Sequence, residues 1–219
     1  MAEAGTLEWQ ALLLTQSIRL FLPPSEAAIT VVSPRPDRRP SPSTIAQLHQ
    51  LQAEYLPLMV RSPCPHYGTS YKLAALVEAE CRPGPCQLVM LDSDTLFLAR
   101  PYFDTDNGGV GLRPVDLKGM CTSGPDDPFD QYWRKLCAIC EVHYEDIPWV
   151  ESMIDSRRVK ASHNGGLVAV DRQHGLFARS FDFLSRAIAE NLYPRAATGN
   201  KPFRIGAGEA HPEAGRLWG

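Results

Sequence analysis

The stretch Gln87–Pro101, QLVMLDSDTLFLARP, predicts where this chain places its chemistry. The apolar run Leu88–Leu91 leads directly into Asp92-Ser93-Asp94, and a second apolar run, Leu96–Leu98, follows. A short continuous apolar run without helical period is typical of a buried strand in a mainly parallel sheet. The acidic pair then follows the carboxyl end of that strand, which is the edge where open α/β sheets bind ligands.

The two carboxylates of this stretch have the spacing of a cation site. Side chains at i and i+2 leave the same face of an extended chain, and carboxylate oxygens are the ligands that hard cations prefer. Composition alone predicts about one Asp-x-Asp by chance. The chain also contains Asp104-Thr105-Asp106, but that pair lies in a polar Asn-Gly-Gly loop that a turn explains. We prefer Asp92 and Asp94, because carboxylates beside a hydrophobic core are costly unless they are paired or bind a metal.

Length and composition indicate an ordinary globular protein. The chain has 219 residues, of which 44% are hydrophobic and 21% charged, enough for one sizeable α/β core. We therefore expect a single domain over residues 1–219. The formal net charge of −3 provides no basic field for nucleic acid or for an anionic membrane. A nucleic-acid partner is not expected.

The sequence also predicts a cellular location. No apolar run reaches the roughly 18 residues that cross a bilayer, and the first ten residues lack the basic and apolar regions of a signal peptide. Six cysteines without an export signal are better explained as reduced thiols than as a disulfide framework. We expect a cytoplasmic protein with no membrane span.

Helices and strands alternate through the first half of the sequence. This alternation implies right-handed crossovers and a mainly parallel sheet flanked by helices. The predicted elements are a helix from about Leu7 to Pro23, a strand over Ala27–Val32, a helix over Thr44–Tyr55, a strand over Leu56–Val60 and a helix over Tyr71–Cys81. The last helix carries Lys72 in its first turn, where a cation opposes the helix dipole. A specific role for Lys72 is therefore weighed against a solvated surface lysine.

A second informative stretch is His163–Arg172, HNGGLVAVDR. Adjacent glycines before an apolar strand allow a ligand to approach the backbone, and the Asn164 amide can both donate and accept hydrogen bonds. A simple hairpin turn would use the same residues. We favour a ligand site, because the strand leads into a predicted helix at residues 173–192 instead of a partner strand two residues away.

Together these stretches resemble the GT-A glycosyltransferases that use nucleotide-diphospho-sugars, nearest the family-8-like group. The residues that carry the resemblance are Tyr71-Lys72-Leu73, then Leu91–Thr95 at a strand end, then Asn164-Gly165-Gly166 before a strand and helix. The resemblance implies a single-domain, Rossmann-like α/β GT-A fold. It also implies Mn²⁺ or Mg²⁺ as cofactor, a nucleotide-sugar donor, in particular a UDP-sugar, and an unidentified acceptor.

The resemblance also implies roles for individual residues, although it identifies no catalytic residue. Compared with the family, the chain is shortened at both ends: the first strand is missing before Leu7, and the tail 200–219 offers only two candidate site residues. The implied metal ligands are Asp92, Asp94 and His211, and the implied donor-binding residues are Lys72, Asp92, Ser93, Asn164, Gly165, Gly166 and Glu209.

The function expected from the sequence is metal-dependent transfer of a sugar from a nucleoside-diphosphate donor to an acceptor hydroxyl. A divalent cation would stabilise the negative charge of the departing diphosphate, and Lys72 would add a second positive charge. Two alternatives remain open. One is a degenerate GT-A domain that only binds a ligand or partner. The other is a nucleotidyltransferase, which usually has a Gly-rich basic loop near the N-terminus that this sequence lacks.

Overall fold

The computed structural model describes residues 1–103, 105 and 109–193. Its helices are α1 (Thr6–Phe21), α2 (Pro42–Gln50), α3 (Gly68–Cys81), α4 (Asp130–Ile139) and α5 (Leu176–Ala189). Its strands are β1 (Ile29–Ser33), β2 (Ala53–Pro57), β3 (Gln87–Leu91), β4 (Val110–Pro114), β5 (Trp149–Glu151), β6 (Arg158–Lys160) and β7 (His163–Asp171). The chain is therefore α/β, as predicted. None of the helices described is long and apolar enough to cross a bilayer, and the cytoplasmic location stays a prediction.

The pairing of the strands differs from the expected sheet. Strand β1 pairs in parallel with β2, from Ile29 opposite Ala53 onward. Strand β7 lies between β3 and β4, and its pairing with β3 is antiparallel, as is the pairing of β5 with β6. A mainly parallel sheet is therefore not confirmed among the described strands. A continuous apolar run indicates that a strand is buried. It does not indicate whether the neighbouring strand runs parallel or antiparallel to it.

The segment after β1 is divided differently from the prediction. Helix α2 is shorter than the predicted helix over Thr44–Tyr55, because the helix ends at Gln50 and β2 already begins at Ala53. Between them Gln52 has φ +53°, a left-handed conformation that reverses the chain direction. The residue is not a glycine, so the sequence offered no signal for this turn.

The described residues form two compact units. The first unit contains Met1–Arg113 and Gly165–Phe181, and the second contains Pro114–Asn164 and the described part of Asp182–Gly219. This division does not test the prediction of one domain over residues 1–219, which stays a prediction.

The first unit has two hydrophobic clusters, and polar contacts fix α3 within the second of them. The buried Glu80 carboxylate accepts hydrogen bonds from the backbone N–H groups of Phe177 (3.0 Å) and Ala178 (2.8 Å) at the start of α5. The Arg172 guanidinium donates to the carbonyls of Ala79 and Arg82 at the end of α3. The clusters are built on Ala2, Ala11, Leu12, Val31, Leu48 and Ala53, and on Met90, Val168, Val170 and Phe177.

The second unit is organised around a buried carboxylate, Asp130. Its oxygens accept hydrogen bonds from the hydroxyls of Thr122 (3.0 Å) and Tyr144 and from the Arg134 guanidinium (2.7 Å). Burial would raise the pKa of Asp130, but these donors outweigh that effect and hold it below its usual value. The unit also has an apolar cluster of Ile139, Ala187 and Leu192.

Candidate functional site

The two informative stretches of the sequence lie side by side in the first unit. Leu91, the last residue of β3, is opposite Leu167 of β7. One residue further, the N–H of Asp92 donates to the carbonyl of Gly166 over 2.8 Å. The acidic pair therefore begins where the paired strands end, beside the glycines that the sequence analysis assigned to the same site.

Lys72 reaches both stretches from helix α3. Its ammonium donates to Asp92 Oδ1 at 2.5 Å and to the carbonyl oxygen of Gly165 at 2.6 Å. Its side chain is only 19% exposed, so the alternative of a solvated surface lysine is wrong. Helix α3 begins at Gly68, which places Lys72 in the second turn of the helix and not in the first turn as predicted.

The other neighbours of the acidic pair come from the N-terminal part of the chain. The Ser93 hydroxyl donates to the Gln10 side-chain oxygen on α1 at 3.2 Å. Burial lowers the pKa of the Met1 amino group, and the nearby Asp92 carboxylate opposes that shift. The sequence did not predict a role for Gln10, because a single polar residue on an amphipathic helix is part of no recognisable motif.

Asp94 differs from Asp92 in its surroundings. Its side chain is exposed, and no described residue forms a hydrogen bond or ion pair with its carboxylate. Leu96 and Leu98 of the second apolar run are exposed too, with Leu98 84% accessible, whereas Phe97 is half-buried. The argument that a hydrophobic core encloses this pair is therefore wrong on its C-terminal side. Asp94 is instead a surface carboxylate without a partner in the part of the chain that the structure describes, and it is available to a ligand from solvent.

The glycines belong to a strand and not to a turn that precedes one. Strand β7 already begins at His163, and Gly165 has no positive φ. Apart from its chain neighbours, no heavy atom of the described residues lies within 4 Å of the position that a Gly165 Cβ would take. The hairpin-turn alternative is therefore wrong, and the backbone at Gly165 is accessible to an approaching group.

Asn164 is described with the second unit. Its side-chain nitrogen donates to Asp116 Oδ2 at 2.9 Å. Asn164 precedes Gly165 directly in β7, but its amide already has this protein partner. The proposed contact of Asn164 with a donor stays a prediction.

The loop Lys118–Asp130 borders a cavity of about 310 Å³ in the second unit. Its buried carboxylate, Asp127, accepts from the Lys118 ammonium at 2.8 Å and from the Ser123 hydroxyl at 2.7 Å. The N–H of Phe129 donates to the other oxygen at 2.9 Å. The polar groups of the loop thus bind one another, and these contacts order the loop.

Asp92 and Asp94 are the two described carboxylates that the sequence assigned to a metal. Within the described part of the chain, no group of three or more His, Cys, Asp or Glu side chains is arranged to hold a metal ion. His211 and Glu209, predicted as a metal ligand and a donor contact, lie outside the described residues, as do Asp104 and Asp106 of the other Asp-x-Asp.

Comparison with known proteins adds one match. A family model, the Rhodobacterales glycosyltransferase domain, matches residues 1–204. This match spans most of the chain, including both stretches that form the candidate site. No curated protein matches the chain.

Proposed function

Because the chain belongs to the Rhodobacterales glycosyltransferase domain family and is a glycosyltransferase, we propose that its donor is a nucleotide sugar bound at Asp92, Asp94, Lys72 and Gly165. The reaction is transfer of the sugar to an acceptor hydroxyl, with Mn²⁺ or Mg²⁺ as cofactor and a UDP-sugar as the preferred donor. The proposed site is similar to the donor site of GT-A, family-8-like glycosyltransferases. The observation that carries this proposal is the Lys72 ammonium between Asp92 and the Gly165 carbonyl.

The carboxylate oxygens of Asp92 and Asp94 are suitable ligands for a hard divalent cation. Mg²⁺ commonly binds through one or two carboxylates, keeps several waters and completes its coordination with substrate phosphates. Asp94 is exposed and unpaired among the described residues, and Asp92 is 40% exposed with a hydrogen bond to Oδ1 alone. These two carboxylates would hold the metal. When bound, it supplies positive charge that stabilises the departing nucleoside diphosphate.

Lys72 provides a second positive charge beside the acidic pair. Its stem is mostly buried, and the contacts of α3 with α5 and Arg172 fix the helix that carries it. A preorganised charge stabilises the developing charge on a leaving group at little reorganisation cost. We propose that Lys72 binds the diphosphate of the donor. Ser93, whose hydroxyl is oriented by its hydrogen bond to Gln10, would bind the same diphosphate.

Gly165 leaves room for the sugar next to the acidic pair. The open space above its Cα lets a ring approach the strand more closely than any side chain would permit. Gly166 places that strand against Asp92. The donor sugar would thus lie along the start of β7, with its diphosphate at the end of β3.

Thermal unfolding with a panel of nucleotide sugars tests this function. A ligand at about 100 times its dissociation constant stabilises a protein by about 2.7 kcal/mol. We expect one class of nucleotide sugar to raise the melting temperature with Mn²⁺ or Mg²⁺ present, and EDTA to abolish the shift. The same donor should release its nucleoside diphosphate when acceptors are supplied. If no donor shifts the melting temperature at saturating concentration, the proposed donor site is wrong.

A further inference from the structure

We propose that Lys72 is a resident counter-ion that competes with the metal for Asp92 and moves to the diphosphate when the donor binds. This exchange would make the site bind metal weakly alone and tightly with the donor nucleotide. The inference rests on the proposed function, and it concerns how binding at that site is regulated.

The first argument is the position of the ammonium. At 2.5 Å from Asp92 Oδ1, the Lys72 nitrogen occupies a position on the carboxylate where a cation would bind. A carboxylate neutralised by an ammonium attracts a divalent ion less strongly, and an ammonium and a metal ion on the same carboxylate repel each other. Metal binding to Asp92 therefore opposes the Lys72 contact.

The second argument is that the ammonium has another anchor. Lys72 also donates to the Gly165 carbonyl at 2.6 Å. Loss of the Asp92 contact therefore leaves the ammonium held at the start of β7, the place proposed for the donor. A diphosphate there would offer it a charge-assisted partner in exchange for Asp92.

The third argument is the asymmetry between the two carboxylates. Asp94 is exposed and has no partner among the described residues, whereas Asp92 is held by Lys72. Metal alone would find one accessible carboxylate and one whose Oδ1 is already bound to the Lys72 ammonium. The donor nucleotide would release the second, so metal and nucleotide each favour the binding of the other, and this coupling is reciprocal.

The test measures Mn²⁺ binding without turnover. Free Mn²⁺ is counted by electron paramagnetic resonance in titrations of wild type, Lys72→Met and Lys72→Gln, each with and without UDP. The glutamine variant keeps a hydrogen-bond donor without the charge, and melting curves restrict the titrations to folded protein. Lys135→Met, which removes a charge from an exposed lysine of α4, is the matched control.

Without UDP, both Lys72 variants should bind Mn²⁺ more tightly than wild type, by about fivefold or more, and the control should not change. With Mn²⁺ present, the same variants should bind UDP more weakly. If the Lys72 variants bind Mn²⁺ in the absence of UDP no more tightly than wild type, the proposed exchange of Lys72 between Asp92 and the diphosphate is wrong.

The proposed function fails differently. If wild type binds no Mn²⁺ even with UDP, the metal site itself is wrong. If Asp94→Asn removes Mn²⁺ binding while Lys72→Met leaves it at the wild-type value, the metal site is supported and the exchange alone is refuted.

Discussion

The N–H of Asp92 and the carbonyl of Gly166 form a 2.8 Å hydrogen bond one residue beyond the Leu91–Leu167 pair of the antiparallel strands β3 and β7. Backbone pairing thus places the acidic stretch next to the glycines, and no side chain of either stretch takes part in that bond. Side-chain substitutions here can therefore change the chemistry of the site while the main-chain contact persists.

Asp94→Asn should abolish metal-dependent donor binding and leave the fold intact. The substitution removes one charge from the proposed ligand set and keeps the shape of the side chain. Because Asp94 is exposed and has no described partner, its melting temperature without ligand should match wild type. The measurement is the Mn²⁺-dependent thermal shift with the active nucleotide sugar.

Two other aspartates serve as controls for that experiment. Asp126→Asn changes an exposed aspartate of the loop in the second unit and should leave the thermal shift unchanged. Asp104→Asn addresses the other Asp-x-Asp and should also have little effect. Metal dependence that survives in Asp94→Asn but disappears in Asp104→Asn would show that the wrong pair was chosen.

Gly165→Ala should reduce the transfer rate steeply with little change in stability. Gly165 has no positive φ, and apart from its chain neighbours no atom in the described part of the chain lies within 4 Å of its Cβ position, so the described fold can accept the methyl group. A donor sugar lying against the strand could not. Initial rate and melting temperature are measured on one preparation. Normal turnover by this variant would remove Gly165 from the sugar site.

Gly175→Ala is the matched control for a glycine with a structural role. Gly175 has φ +60°, so a side chain there is strained whatever the available space. The substitution should cost on the order of 1 kcal/mol of stability. Its activity should fall only in proportion to the unfolded fraction, in contrast to Gly165→Ala.

Local sequence patterns predicted the acidic end of β3 and much of α3, since apolar runs and helical period depend on neighbouring residues. Leu73 and Leu76 of α3 contact the cluster around Met90, as the apolar side of an amphipathic helix should. The antiparallel neighbour of β3 was not predicted, because strand direction depends on residues far along the chain.

The side-chain contacts of the candidate site also depend on residues that are far apart in the sequence, so local patterns could not predict them. Lys72 was noticed through its unfavourable position near a helix N-terminus, although its contacts with Asp92 and Gly165 required three distant segments to meet. Gln10 and Glu80 were not noticed, since a polar residue on a helix is ordinarily solvated. Their partners, Ser93 and the start of α5, come from other elements of the fold.

Glu80→Gln should lower stability without acting on the site directly. The buried carboxylate accepts two backbone N–H groups at the start of α5, where a negative charge also complements the helix dipole. Loss of the charge and of one acceptor should cost about 1–3 kcal/mol. Chemical denaturation measures the effect. Glu78→Gln, at an exposed position of the same helix, should be nearly neutral, and an equal loss in both variants would contradict the capping role.

The acid limb of the stability profile should depend on Glu8. The backbone N–H of Ser41 is the main cause that lowers the pKa of Glu8, and the Thr44 hydroxyl and Gly5 N–H act in the same direction. A carboxyl whose folded pKa is depressed contributes stability above its unfolded value of about 4.3, and this contribution is lost as the pH falls through the folded pKa. Wild type should therefore be more stable than Glu8→Gln at pH 7, and the difference should shrink as the pH falls below about 4.

Glu190→Gln, an exposed control, should follow wild type throughout. A stability difference between wild type and Glu8→Gln that stays constant from pH 7 to about pH 3 would show that the neutral carboxyl serves Ser41 and Thr44 equally well.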